Sequence, residues 1–329
     1  MCMSIKGTEK EFLFSLFLKT RPNILENTLN VKLEAGDILL EKSHQGMKLD
    51  MYSIDKHTGS EIYVENLLLK SNEPHQKKVL QIVDSIQKGI VVYQALGFHR
   101  NHVKQLKNKI EDSRKDIILY LVKINPKVIE ALDSLNKLHK LEVFRNLNLL
   151  DNVQNPIHVV AKYGNMPDKN AERTPPIRKQ DSNFGTREDI NHMLLSELRR
   201  NIPYFLSFQR EKSNIETNRL LQFGGGLSGT TYFVTLESRR KLAFLELRFT
   251  NESEYLYPIF KEKEHQIRER IGESVVFDDN RNVIGVYFKP SKDIQDTINQ
   301  IVEVFRKMIH FFSDYFFRMQ RFESNLAVS

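Results

Sequence analysis

Asp50 and Glu65 are the residues from which chemistry can be argued first. They fall in Lys48-Leu49-Asp50 and Tyr63-Val64-Glu65-Asn66-Leu67-Leu68, and Asp55-Lys56-His57-Thr58-Gly59-Ser60 between them reads as a turn. A hairpin closed by that turn sets two carboxylates at the ends of paired strands. Carboxylates so placed can hold a divalent cation against a phosphodiester. The bland alternative is a pair of ordinary strand-end acids that hold no metal.

The elements that must position them follow from periodicity and punctuation. Thr8 with Glu11 makes a capping box for a first helix striped by Phe12, Leu16 and Phe17 and ended by Pro22. Strands are expected over 37–41, 47–54 and 61–69, buried on part of both faces. Asn72 or Glu73 opens a helix with Pro74 in its first turn, Val79, Ile82, Val83 and Ile86 on its apolar stripe, and Gly89 closing it. A strand over 90–93, a helix over 99–110 and a strand over 117–122 complete a mixed α/β unit.

Residues 152–185 carry Pro156, Pro167, Pro175 and Pro176 among Asn, Asp and Lys, and read as a linker or exposed loop. The expected division is therefore 1–151, a linker over 152–185, and an α+β unit over 186–329. In that last unit, strands are expected over 230–236 and 241–249, then a charged helix over 254–271 ended by Gly272. A hairpin over 275–278 and 283–288 and one long final helix follow.

Composition narrows the class. The chain has 329 residues, 40% hydrophobic and 28% charged, with net charge +7, which suits a packed protein with an acidic partner, nucleic acid above all. Its one cysteine, Cys2, excludes an internal disulfide or a cysteine-only metal site. No apolar run approaches the ~18 residues of a membrane span. Glu9, Lys10 and Glu11 so near the start argue against a signal peptide, so a cytoplasmic protein with no membrane partner is expected.

Taken together, the first ~130 residues resemble the PD-(D/E)XK nuclease superfamily in element order and element length. The similarity is to a bacterial subgroup with an acidic first helix, a hydrophobic-Asp strand, and an Ile-Glu-Asn-Gln strand followed by a histidine. The residues that carry it are Glu9, Asp50, Glu65-Asn66 and His75. The last ~145 residues look like a domain of unknown function that often follows such modules. That likeness runs through Phe244-Leu245-Glu246-Leu247-Arg248, Tyr257 to Phe260, Ile267 to Gly272 and the final helix. Departures are Leu67 for the family's glutamine, Arg268 for an acidic residue and Phe277 for a tryptophan.

The resemblance implies a restriction-endonuclease-like mixed sheet flanked by helices, and a Mg²⁺-dependent endonuclease acting on DNA, with Mn²⁺ as an alternative ion. Asp50, Glu65 and the main-chain carbonyl of Asn66 would hold the metal, and Glu9 would bind an outer water or a second ion. Family context implies a role in restriction or anti-phage defence. A working nuclease usually carries a lysine two residues after the glutamate, where this chain has Leu67. Lys78, one turn beyond His75, is the first choice as a stand-in and Lys48 the next; Lys70 lies on the wrong strand face. The competing expectation is a silent nuclease fold that binds DNA or a partner protein.

Other patterns carry less. Gly224-Gly225-Gly226-Leu227-Ser228-Gly229 precedes a strand rather than a helix, so it lacks the dipole of a dinucleotide site and reads as a loop. His99 and His102 permit a metal pair but lack further ligands. Arg199-Arg200, Arg239-Arg240-Lys241 and Arg268 with Arg270 are candidate phosphate contacts or solvated surface. Phe305, Phe311, Phe312, Tyr315, Phe316 and Phe317 crowd the last helix beyond one buried face, from which a homodimer is expected.

Overall fold

A computed structural model describes residues 7–135, 138, 140–164, 186–210, 219–236 and 241–326. Two sheets organise them. In the first half the order is α1 (Gly7–Thr20), α2 (Pro22–Leu29), β1 (Leu39–Leu40), β2 (Ser43–His44), β3 (Met47–Lys48), β4 (Met51–Ile54) and β5 (Glu61–Lys70). Then come α3 (Glu73–Ser85), β6 (Lys88–Gly97), α4 (Arg100–Asp112), β7 (Asp116–Ile124), α5 (Lys127–Leu135), α6 (Lys140–Arg145) and β8 (Ile157–Tyr163). The second half holds α7 (Arg187–Asn201), α8 (Leu206–Gln209), β9 (Leu221–Gly224), β10 (Thr230–Thr235), β11 (Ala243–Phe249), α9 (Leu256–Lys261), α10 (Glu264–Ile271), β12 (Val275–Asp278), β13 (Val283–Phe288) and α11 (Ile294–Leu326).

The first sheet runs β1-β4-β5-β6-β7-β8. Its β1–β4, β4–β5 and β7–β8 pairs are antiparallel, whereas β5–β6 and β6–β7 are parallel with α3 and α4 as crossovers. This is a mixed α/β sheet flanked by helices. Strand β5 explains the near-continuous apolar reading of its sequence. Val64 and Leu68 enter the core packed under α1, and Tyr63 and Leu67 enter the core on the α3 and α4 side. The second sheet, β12-β13-β11-β10-β9, is wholly antiparallel and rests one face on α7, α10 and α11.

Several expectations need correction. The second strand is split: Met47–Lys48 pairs with Ser43–His44 in a separate ribbon, and Met51–Ile54 joins the sheet, so Asp50 sits at the break. The first strand is only Leu39–Leu40, preceded by a 3₁₀ turn at Ala35–Asp37. Residues 152–185 are not all linker, since Ile157–Tyr163 is the edge strand of the first sheet, and 165–185 lie outside the described residues. Gly89 does not close a helix; it lies inside β6 at φ +141°, where a Cβ would come within 2.9 Å of the Glu61 carbonyl oxygen. The 254–271 segment is two short helices.

The glycine cluster is a built hairpin turn in which Gly225 N–H donates to the Thr230 carbonyl. The crowded aromatics of α11 are met inside the chain. Phe305, Phe312 and Phe316 are core, with Phe311 and Tyr315 packed against it, so they supply no argument for a second copy. No described helix is long and apolar enough to cross a membrane.

Candidate active site

Helix α3 begins where the sequence places it. The Asn72 side chain accepts from His75 N–H at 3.1 Å and Pro74 occupies the first turn. Val79, Ile82 and Val83 seat the helix on the face of β5 from which Glu65 projects. The other edge of that stripe carries His75 and Lys78 toward the sheet. Lys78 Nζ lies 2.5 Å from Glu65 Oε2 and 3.9 Å from Asp50 Oδ1, and His75 Nε2 lies 3.8 Å from Glu65 Oε1. A basic group thus reaches both carboxylates from the next helix, while position 67 of β5 offers them none. Leu67 itself is buried in the apolar core beneath.

Asp50 is held by β5, since the Asn66 amide donates to Asp50 Oδ2 at 2.6 Å. Asn66 points to the opposite face and donates from Nδ2 to Ser15 Oγ at 2.7 Å. Helix α1 supplies one further acid, Glu11 and not Glu9. The Leu68 amide donates to Glu11 Oε1 at 3.3 Å, and Glu11 lines the same cleft as Asp50 and Lys78. Residues 9 and 11 are ~200° apart on a helix, whereas 11 and 15 share a face. Glu9 lines a different cleft, with Leu141, Tyr204 and Phe316. The capping contact expected of Thr8 lies outside the described side chains, and the Glu11 carboxylate is spent on the sheet instead.

Electrostatics at this cluster are unbalanced. Burial raises Glu65 well above the ordinary carboxyl range, nearby Asp50 raises it further, and Lys78 offsets part of the rise. Asp50 is raised by burial against the pull of Lys78 and the Asn66 amide. Glu11 is raised by burial, with Asp50 adding to it. His75 is lowered, mainly by burial. Three carboxyls gather near the Lys78 ammonium, and burial outweighs its pull at each of them, so all three hold their protons more tightly than free carboxyls do.

That imbalance bears on Mg²⁺. Among the described residues no group of three or more His, Cys, Asp or Glu side chains is arranged to cage a metal. Mg²⁺ is commonly held by only one or two carboxylates, completed by water and substrate phosphate. Asp50 and Glu65, with raised pKa values that a cation would relieve, fit that mode. The cleft beside them measures about 320 Å³ and is lined by Glu11, Ser15, Glu41, Lys48, Asp50, Lys78 and Arg210. Lys48 is turned to Glu41, at 2.7 Å, and not to Glu65.

Several of the other sequence candidates have partners within the chain. Arg199 donates from Nε to the Phe208 carbonyl at 2.8 Å, Arg200 pairs with Glu197, and Arg268 pairs with Glu264. Arg239 and Arg240 lie outside the described residues. His102 Nδ1 lies 3.0 Å from Ser71 Oγ, which also accepts from His99 N–H. Sequence reasoning missed Glu11 as a site acid and Arg210 altogether. No family model, curated protein or solved structure matches the chain.

Proposed function

We propose that the chain is a metal-dependent nuclease acting on DNA, with its first half built in the restriction-endonuclease-like manner. The observation that carries this reading is Lys78, whose ammonium reaches Glu65 and Asp50 from α3 and so stands in for the lysine that Leu67 lacks. Support for the fold comes from the antiparallel β1–β4–β5 arrangement followed by α3 and a parallel β6. Asp50, Glu65 and the Asn66 carbonyl would hold Mg²⁺, which when bound supplies a Lewis acid to the phosphate oxygens.

The chain's own groups do the rest. Lys78 favours the ionised form of Glu65 and presents a fixed positive charge where charge grows on the phosphate. Glu11, one helix turn from Ser15, is placed to accept a hydrogen bond from a cleft water. A place in restriction or anti-phage defence rests on the family resemblance alone.

One observation favours a second reading. An ammonium 2.5 Å from Glu65 fills part of the space a metal would use, as in a silent fold that binds nucleic acid without cutting it. Cleavage of supercoiled plasmid and single-stranded DNA in Mg²⁺ or Mn²⁺ separates the two. The nuclease reading expects cleavage that Asp50→Asn or Glu65→Gln abolishes and Lys78→Ala lowers by about 100-fold or more. Absence of cleavage with either ion, in protein that binds DNA, would sink the enzyme and leave the silent module.

A further inference from the structure

The cleft is not made by the first half alone. Arg210 follows α8 in the second half, and its backbone forms a parallel β-bridge with Leu40 of β1. β1 pairs with β4, whose first residue follows Asp50, and the Glu41 amide donates to the Asp50 carbonyl at 3.0 Å. The bridge thus sets Arg210 at the sheet margin beside the carboxylates. Its guanidinium lies 4.3 Å from the centroid of the Phe12 ring, and Nε is 3.5 Å from Glu41 Oε2.

What the guanidinium lacks is as informative. Nε is buried without a hydrogen-bond partner among the described residues, and the only ion pair there is the long one to Glu41. A guanidinium is always charged and carries five donors in a planar fork suited to two oxygens of one phosphate. Structural arginines in this chain behave otherwise: Arg21 places two nitrogens on Asp151 at 3.0 and 2.8 Å, and Arg306 places two on Glu303 at 3.0 and 2.8 Å. Arg210 is held in place by its backbone bridge and by Phe12, and it lines the cleft that Asp50, Lys78 and Glu11 also line, as well as the neighbouring one beside Glu9.

We infer that Arg210 is a phosphate-holding arm, by which the second half of the chain completes the nucleic-acid site of the first. The inference rests on the reading of this cleft as a nucleic-acid site. It assigns to the second half a positioning task within that site: binding a phosphate of the strand that lies over Asp50 and Glu65.

The test is the affinity of the full chain for a short DNA duplex in EDTA across a salt series. Wild type is compared with Arg210→Ala, Arg210→Lys and the charge-matched control Arg306→Ala. Removing one cation that pairs with a phosphate makes the slope of log affinity against log salt shallower by about 1. The expected result is a slope shallower by that amount in Arg210→Ala, a near wild-type slope in Arg210→Lys, and no change in Arg306→Ala. In Mg²⁺, kcat/KM for cleavage should fall about 10- to 100-fold in Arg210→Ala. Unfolding midpoints show that the variants remain folded.

A wild-type slope in Arg210→Ala overturns the inference, as does a wild type that binds no DNA. Binding with the expected slope change but without cleavage removes the enzyme reading and leaves the arm in place.

Discussion

Each of the two sheets buries one glutamate on a central strand, and the two are treated in opposite ways. Glu65 on β5 is 1% exposed and Glu246 on β11 is 2% exposed. Glu246 is saturated. Tyr287 donates to Oε1 at 2.6 Å, Arg248 donates from Nε to Oε2 at 2.7 Å, and Arg281 Nη1 reaches Oε1 at 3.4 Å. Glu65 has one lysine and shares it with Asp50, while Asp50 itself raises the cost of ionising it. The buried carboxyl with surplus donors is structural, and the one short of them lies behind two residues that line a cleft, Asp50 and Lys78. Compensation, rather than burial, separates the two.

The largest expected effect breaks that symmetry directly. Glu246→Gln leaves the Arg248 guanidinium without its counter-charge, while Arg281 keeps Asp278 at 2.6 Å, and should cost about 2–3 kcal/mol. Glu65→Gln replaces a carboxyl that burial already holds toward its neutral form, so in EDTA at pH 8 it should raise stability. Urea midpoints of both variants beside wild type give the signs. Equal losses in both would show Glu65 to be as well compensated as Glu246, and the contrast would collapse.

How much of this was legible in sequence differs between the same regions. The α3 cap, Pro74, His75 and Lys78 were readable because they are local: one helix start fixes every later side chain by 3.6-residue geometry. The Asp55–Ser60 turn was readable for the same reason. It is closed by the Asp55 amide donating to Ser60 O at 2.9 Å and Thr58 Oγ1 donating to Asp55 Oδ2 at 2.6 Å.

Glu11 was not readable, since Phe12, Leu13, Phe14, Leu16, Phe17 and Leu18 are all buried. A helix apolar on all sides gives no stripe to say which acid meets the sheet. β8 was hidden because it is an edge strand whose Val159 and Val160 remain exposed. Arg210 depended on a bridge between residues 170 positions apart in the chain, for which no local pattern exists.

A smaller effect sharpens the comparison through pH. Glu65, Asp50 and Glu11 all have pKa values raised on folding, so the folded chain holds their protons more tightly than the unfolded chain. Their contribution is complete below the ordinary values, 4.5 for Glu and 3.8 for Asp, and is lost as pH rises toward the folded values. His75, His44 and His310 are lowered by burial and act the other way near their ordinary 6.5. The difference between wild type and Glu65→Gln removes that background. In EDTA the advantage of Glu65→Gln should widen as pH rises, by up to about 1.4 kcal/mol per unit for one proton, and Mg²⁺ should narrow it. A flat difference from pH 5 to 8 would mean that Glu65 titrates as it does in the unfolded chain.

The smallest effect concerns polar atoms that the fold leaves without partners. Among the described residues these concentrate in the first sheet, at Ser53 Oγ, Asn66 Oδ1, Tyr93 O–H and both side-chain polar atoms of Gln94, with Glu65 Oε2 met only by the Lys78 ion pair. The second sheet contributes Tyr232 O–H. Gln94 on β6 pairs in register with Asn66 on β5, so its amide lies behind the site and outside its acid cluster. A buried amide with no acceptor or donor nearby costs about 1–3 kcal/mol of desolvation, and an apolar replacement of similar volume recovers part of it. Gln94→Leu should therefore stabilise the chain by about 1 kcal/mol, and Tyr232→Phe by less, because a hydroxyl forfeits less than an amide. If Gln94→Leu destabilises instead, its amide is satisfied by ordered water, and the polar face of the first sheet is a hydrated network continuous with Asn66. That outcome would move the contrast between the sheets from unpaired groups to buried water, with the poorly compensated carboxyl at Glu65 untouched.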